Sequence, residues 1–284
     1  MSDKIPSLGF LETLAARAAN IMQGLFPRPG KEVETWVKDD DTPVTRADKE
    51  ISKFIKDSLE RHYPEVAVCC EEGGVSGPKD ARCRVIVDPV DGTSAYRNGL
   101  PAVFAIAITW DGVLHRSVIC SPLLYGSVSM YTAERTYEEN GKMVVRSRLN
   151  GRDIHVAPTE NVTRYPSIGI ATWPGDIIRQ PVQNMHLISH DLQQMGFSIQ
   201  GVSTISLTTA LVSSGSIVAA LFPGKTAHDI GPGHLLVEGA GGMVTDLRGK
   251  ALSYNNGDVL DGAVFSNGPE LHELLLKVIG EHYK

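Results

Sequence analysis

Apolar residues recur at helical intervals over residues 6–26, with Leu11, Leu14, Ala18, Ile21, Met22 and Leu25 on one stripe and Pro27 closing the segment. This spacing predicts an amphipathic helix. After the polar run KDDDTPVT, residues 46–62 repeat the pattern with Ile51, Phe54, Ile55, Leu59 and His62, and Pro64 ends it. The period then shortens. VAVCC at 66–70, RVIVD at 84–88, AVFAIAITW at 102–110 and, after Asp111-Gly112, VLHRSVIC at 113–120 read as strands. YGSVSMYTA at 125–133 continues the sheet, and Glu139-Asn140-Gly141-Lys142 reads as a turn. The first half therefore reads as α+β, with helices packed on a largely antiparallel sheet.

The second half alternates. PSIGIAT at 166–172 predicts a strand, residues 177–195 a helix, FSIQGVS at 197–203 a strand and LTTALVSSG at 207–215 a helix. IVAALF at 217–222 is again strand-like, and GPGHLLVEGAGG at 231–242 reads as a helix ending in glycines before MVTDLRG. Such alternation indicates a more regular α/β layer. A soft boundary near 150–163 divides the chain into an N-terminal α+β domain over 1–155 and a C-terminal α/β domain over 156–284, without repeats or low-complexity segments.

At 284 residues, with 42% apolar and 21% charged residues, the chain has ample material for a core. A net charge of −6 argues against a general nucleic-acid surface, which needs clustered Lys and Arg. It also disfavours steering of phosphorylated ligands unless bound cations reverse the local sign. The four cysteines follow no metal-ligand spacing, and the adjacent Cys69 and Cys70 are a poor start for a disulfide framework. No long apolar segment follows the N-terminus MSDKIPSLGF, and nowhere do 18 apolar residues run together. A cytoplasmic protein that neither spans a membrane nor binds nucleic-acid polymer is expected.

Candidate chemistry concentrates where elements end. Asp48 opens the second helix, Glu71 and Glu72 follow one strand, Asp88 and Asp91 follow another in DPVDGTS, and Asp229 precedes a predicted helix. Each has an ordinary reading alone: a solvated turn for Asp-Gly near Pro, a surface loop for EEGG, a first-turn acid for Asp48 and an N-cap for Asp229. Together they suit something else. Pro89 stiffens a turn that lets Asp88 and Asp91 share one side with the Val90 carbonyl between them; Gly92 permits close backbone approach, and Thr93-Ser94 can cap the next helix. Oxygen ligands beside anion donors match a hard cation such as Mg²⁺, which takes carboxylates and carbonyls and completes its shell with substrate phosphate.

TPVTRAD at 42–48, EEGG at 71–74, DPVDGTSAY at 88–96 and HDIGPGHLLVEGAGGMVTD at 228–246, in that order, resemble the inositol monophosphatase superfamily of Mg²⁺-dependent, lithium-sensitive phosphomonoesterases. The resemblance implies an αβαβα layered sandwich with the site between the halves, and a homodimer. It implies that Glu71, Asp88 and the Val90 carbonyl bind one Mg²⁺, that Asp88, Asp91 and Asp229 bind a second, and that a third, weaker ion sits near Glu71. Glu72 is a secondary candidate. The Gly92 and Thr93 amides would receive phosphate, and Asp48, paired with the Thr93 hydroxyl, would orient and deprotonate the attacking water, with no covalent enzyme intermediate.

Substrate choice is less defined. A gapless match puts Phe222 where inositol-specific members carry a glutamate, so a polyol loses an anchor and an apolar group gains a wall. His228 stands where a Trp is common, and Ser203-Thr204-Ile205 occupies the family's substrate loop. DDDTPVTRAD resembles the branches acting on 3'-phosphoadenosine 5'-phosphate (3'(2'),5'-bisphosphate nucleotidases) or histidinol phosphate, and Lys225 could meet an additional phosphate. A small phosphate monoester is the expected substrate, with those two branches as alternatives. From other classes, GAGGMV at 239–244 raises a dinucleotide-binding module, but it follows a helix rather than preceding one. A catalytically silent binding or scaffold homologue is opposed by the presence of all six acids.

Overall fold

The computed structural model describes residues 5–28, 32–38, 42–122, 127–158, 166–171, 184–254 and 259–282. Helix α1 (Leu8–Leu25) is followed by a hairpin of β1 (Thr35–Val37) and β2 (Pro43–Thr45), then α2 (Arg46–His62). Strands β3 (Ala67–Cys70), β4 (Gly74–Ser76), β5 (Cys83–Asp91), β6 (Val103–Trp110), β7 (Val113–Ser121), β8 (Ser129–Tyr137), β9 (Met143–Leu149) and β10 (Arg152–Asp153) form one sheet in the order β10-β9-β8-β7-β6-β5-β3-β4. The short helix α3 (Thr93–Arg97) interrupts it after β5. Among the described residues only the β3/β5 pair is parallel in this sheet, because β4 follows β3 in the chain as a short antiparallel edge before β5.

The second sheet, ordered β12-β11-β13-β15-β14, is mixed: β11 (Ser167–Ala171) runs parallel to β12 (Ser198–Val202) and β13 (Ala219–Thr226), while β15 (Val259–Ser266) pairs antiparallel with β13 and β14 (Met243–Thr245). Its helices are α4 (Met185–Gln194), α5 (Ile205–Ser213), α6 (Ala227–Gly239) and α7 (Pro269–His282).

Alternation along the strands sorts the apolar residues into four clusters. Val85, Val87 and Ile106 pack against α1 and α2, whereas Ile86, Ala105 and Ala107 face the opposite way, towards Ala210 of α5 and Leu235 and Leu236 of α6. Ile205, Val212, Ile230 and Val237 cover the inner face of the second sheet, and Ile188, Leu192, Leu275 and Val278 cover its outer face. The layers are thus α1/α2, sheet, α5/α6, sheet, α4/α7, the expected αβαβα sandwich. Because α5 and α6 are apolar on two sides, they serve both sheets. The first sheet spans 67–153 and the second 167–266, yet they share this middle layer.

Two expectations change. The helix predicted over 231–242 begins at Ala227 and carries Pro232 inside it, because Thr226 and Asp229 start it upstream of the Gly-Pro-Gly run. The strand read at 217–222 continues through Thr226, where β15 offers a ladder that local sequence does not show. The helix expected from 177 is described only as α4; residues 177–183 lie outside the described residues, as does part of the 150–163 boundary. GAGGMV indeed leaves a helix to enter β14.

The middle layer is close-packed at Gly233, where an added Cβ would fall 2.0 Å from Thr209 Oγ1 on α5. Gly233→Ala should therefore lower unfolding free energy by about 1–3 kcal/mol through overpacking, read from urea midpoints at unchanged slope.

Candidate active site

The site starts from a β-bulge. Asp88 of β5 pairs with Ala105 and Asp91 with Val103, so three steps on β5 oppose two on β6. In a regular strand, residues three apart point to opposite faces; the extra residue restores parity and brings both carboxylates to one side. Pro89 is tolerated there because a bulge does not need its missing N–H. The expected tight turn is therefore a bulged strand that runs through Asp91. The Val90 amide donates to Asp88 Oδ1 at 3.0 Å, and the apolar Val90 side chain points into the core beneath α1 and α2.

Gly92 then turns the chain with φ of 89° and is itself the N-cap of α3, so Thr93 is the first helical residue rather than the cap. Two constraints require glycine here. The left-handed backbone is one, and the other is space: a Cβ would lie 2.6 Å from Thr204 Oγ1 and 3.3 Å from the Ser203 carbonyl. The cap has no side-chain hydrogen bond.

Asp91 crosses to the other half of the chain. Its Oδ1 accepts from the Ile205 amide at 3.1 Å and its Oδ2 from the Ser206 amide, so the carboxylate caps α5 from 114 residues away in sequence. An acid at a helix N-terminus meets both unpaired amides and the positive end of the dipole.

Asp48 and Asp229 occupy matching positions, the third residues of α2 and α6. The Thr45 amide donates to Asp48 Oδ2 at 2.8 Å and the Thr45 hydroxyl donates to the same oxygen. The Thr226 amide and hydroxyl donate to Asp229 Oδ2 at 3.0 and 2.7 Å. Asp229 is thus the third residue of a capping box and not the N-cap. Asp48 Oδ1 receives the Thr93 hydroxyl at 3.2 Å, which alternatively reaches the Val90 carbonyl at 3.0 Å. Glu71 and Glu72 sit where β3 turns toward β4, with Lys38 Nζ 2.9 Å from Glu71 and 2.5 Å from Glu72.

The acids share one field. Burial first, then the charges of Glu71, Asp91, Asp229 and Asp48, hold Asp88 well above the ordinary carboxylate range. Burial and Asp229 push Asp91 up to about 7 against the opposing amides of Ser206 and Ile205. Asp48 rises to about 6 through burial, which outweighs the Thr45 hydrogen bonds; Glu72 and Glu71 add to the rise. Burial raises Glu72 as well, with Lys38 opposing. Burial works against the charge of Lys38, but Glu71 and Glu72 outweigh it and hold the ammonium above its ordinary range. So Asp48, Glu71, Glu72, Asp88, Asp91 and Asp229 converge electrostatically, and all offer oxygen, the donor type of a hard divalent cation.

Some expectations do not converge. Phe222 is fully buried, edge-on to Phe265 with centroids 5.7 Å apart, and presents no face to a ligand. It sits in the middle of β13 between the second sheet and the middle layer, so the gapless match that made it a pocket wall is corrected. Ser203 is exposed beside Gly92, and Thr204 is buried against it. The Lys225 side chain lies outside the described residues. Sequence reasoning missed Lys38, Thr45, Thr226 and the α5 amides. Only the two Thr-x-x-Asp boxes had a readable signal.

The layered αβαβα architecture with an acid cluster at the seam of its two sheets defines the class of protein first. The chain belongs to the inositol monophosphatase family, whose profile matches residues 5–284. It is 27% identical over 248 residues to Nus factor SuhB of Pasteurella multocida, covering 86% of each chain. It is 28% identical over 243 residues to the fructose-1,6-bisphosphatase/inositol-1-monophosphatase of Thermotoga maritima, covering 84% of this chain and 82% of the relative. The extragenic suppressor protein SuhB of Bartonella henselae superposes with a TM-score of 0.79 at 22% identity over 95% of this chain and 96% of that one, a likeness of fold.

The raised carboxylates set a stability test. Their native pKa values lie above the ordinary 3.8, so the folded state binds more protons than the unfolded one between about pH 4 and 7, and their contribution to stability falls as pH rises through that window. In chelator, Asp88→Asn should raise the melting temperature at pH 8 more than at pH 5. A variant whose advantage is the same at both pH values would show that the carboxylates do not repel one another in the folded chain.

Proposed function

We propose that this chain is a Mg²⁺-dependent phosphomonoesterase that hydrolyses a small phosphorylated metabolite with water as nucleophile. The observation that carries the reading is the convergence of six acids, four of them pushed upward by burial and mutual charge, beside the open N-terminus of α3. Glu71, Asp88 and the Val90 carbonyl would hold one ion, and Asp88, Asp91 and Asp229 a second. Bound there, Mg²⁺ supplies charge neutralisation for phosphoryl oxygens and a more acidic water.

The chain's own groups would do the rest. The Thr93 hydroxyl has one hydrogen and two acceptors within reach, the Val90 carbonyl and Asp48 Oδ1. When the carbonyl serves as a ligand, the hydrogen turns to Asp48, and the Thr93 oxygen is free to accept a proton from water. As it does so, Thr93 passes its own proton to Asp48. Asp48 near 6 is suited to that base role at neutral pH. The uncapped amides at Gly92 and Thr93 would receive the phosphate dianion. Ser203 borders that loop and is a substrate contact in this reading, whereas Phe222 is not.

Two of the names among the relatives bear on this. The Thermotoga relative is named as a phosphatase of two substrates, and the Pasteurella relative as a Nus factor. The carboxylate cluster favours the phosphatase, and burial of Phe222 removes the argument for a base-stacking or imidazole-stacking wall. Among the described residues no helix is long and apolar enough to cross a membrane. The reading carries with it a cytoplasmic homodimer inhibited by lithium.

Phosphate release from inositol, nucleotide, sugar and histidinol phosphates, with and without Mg²⁺, tests the proposal. Mg²⁺-dependent turnover is expected, reduced by two orders of magnitude or more, equivalent to about 3 kcal/mol of barrier, in Asp88→Asn. Equal release in chelator would sink it. Phe222→Leu should keep the order of substrates while losing about 1–3 kcal/mol of stability, measured by denaturation.

A further inference from the structure

Asp48 and Asp229 come from opposite halves of the chain, yet each is held by the same device. In both, a threonine three residues upstream donates its amide and its hydroxyl to one oxygen, Oδ2. Both are capping boxes, in which the threonine side chain also accepts from the amide of the third residue, at 3.5 Å for Thr45 and Asp48. A capping box needs only that bond and the amide-to-carboxylate bond; here the hydroxyl donates to the acid as well. Two donors on one oxygen fix the plane of the carboxylate and leave Oδ1 as its outward atom. For Asp48, that atom receives Thr93. For Asp229, no group among the described residues hydrogen-bonds that atom, both bonds being to Oδ2.

We infer that Thr45 and Thr226 are positioning residues of the site, Thr226 presenting Asp229 to the divalent ion and Thr45 presenting Asp48 to the Thr93 hydroxyl. The inference rests on the proposed function, since it assigns each threonine to one part of that reaction. The matched geometry divides the work. Loss of the Thr226 hydroxyl lets Asp229 rotate and weakens ion binding; loss of the Thr45 hydroxyl loosens the Asp48–Thr93 pair and slows turnover while the ion ligands stay in place. Orienting groups one step removed from an ion commonly change affinity by ~10–100-fold.

The experiment measures Mg²⁺ and Mn²⁺ dissociation constants by calorimetry, kcat on p-nitrophenyl phosphate at saturating Mg²⁺, and the melting temperature, in full-length protein. Thr226→Val should weaken ion binding by ~10-fold, with Thr226→Ser restoring it. Thr45→Val should lower kcat by a similar ~10-fold with ion affinity unchanged, again restored by serine. Glycine at either position keeps an acceptable helix start without the hydroxyl and gives a folded comparison if valine disrupts folding. Melting temperatures that fall while ion affinity and kcat stay at wild-type values would reduce both threonines to helix caps and overturn the inference alone. Wild-type protein that binds neither ion overturns the proposed function together with it.

Discussion

At the site, one carboxylate fastens the two halves of this protein together. Asp91 leaves the bulged end of β5 and accepts the first amides of α5, so the strand that carries two site acids is fastened to the helix layer that both sheets share. Gly92 meets Thr204 at the same seam, with no space for a side chain. Helix α6 is then packed against α5 through Gly233, and α6 carries Asp229. The position of Asp229 relative to Asp88 therefore follows from one hydrogen-bonded junction and one close helix contact. A salt bridge at the surface would not do this, because exposed ion pairs contribute little and tolerate movement.

The same junction carries a cost. It gathers like charges in a region of low solvent access, and each acid there makes its neighbours harder to ionise. The fold relieves this in parts. Backbone amides serve Asp91 and Asp88, threonines serve Asp48 and Asp229, and Lys38 serves Glu71 and Glu72. None of these removes the excess negative charge at the centre, which is why the cluster reads as a cation site and not as a stabilising feature. Among the described residues Asp88, Asp91 and Asp229 form no ion pair with Arg or Lys, whereas a carboxylate placed for its own stability has one, as Glu238 has in Arg135.

How legible the site was depended on how local its cause is. The acids Asp88 and Asp91 were readable from DPVDGT, and Asp48 from its place in the first turn of an amphipathic helix, since helix starts and strand ends have short-range signals. The bulge was not, because parity is decided by what β6 offers opposite. Phe222 was misplaced for the same reason: an aligned position says nothing about which side of β13 faces the seam. The early start of α6 had a signal in Thr226 and Asp229, outweighed by the glycines and proline that follow.

The sequence by itself determined the element types, the layered alternation of strands and helices, the excess of acids and the turn-forming residues beside them, because each depends on residues within a few positions. Tertiary structure alone decided that Asp91 would cap a helix 114 residues away, that Lys38 would lie against Glu71 and Glu72, and that Phe222 would be core. Those outcomes depend on which surfaces meet, and no window of neighbouring residues contains that information.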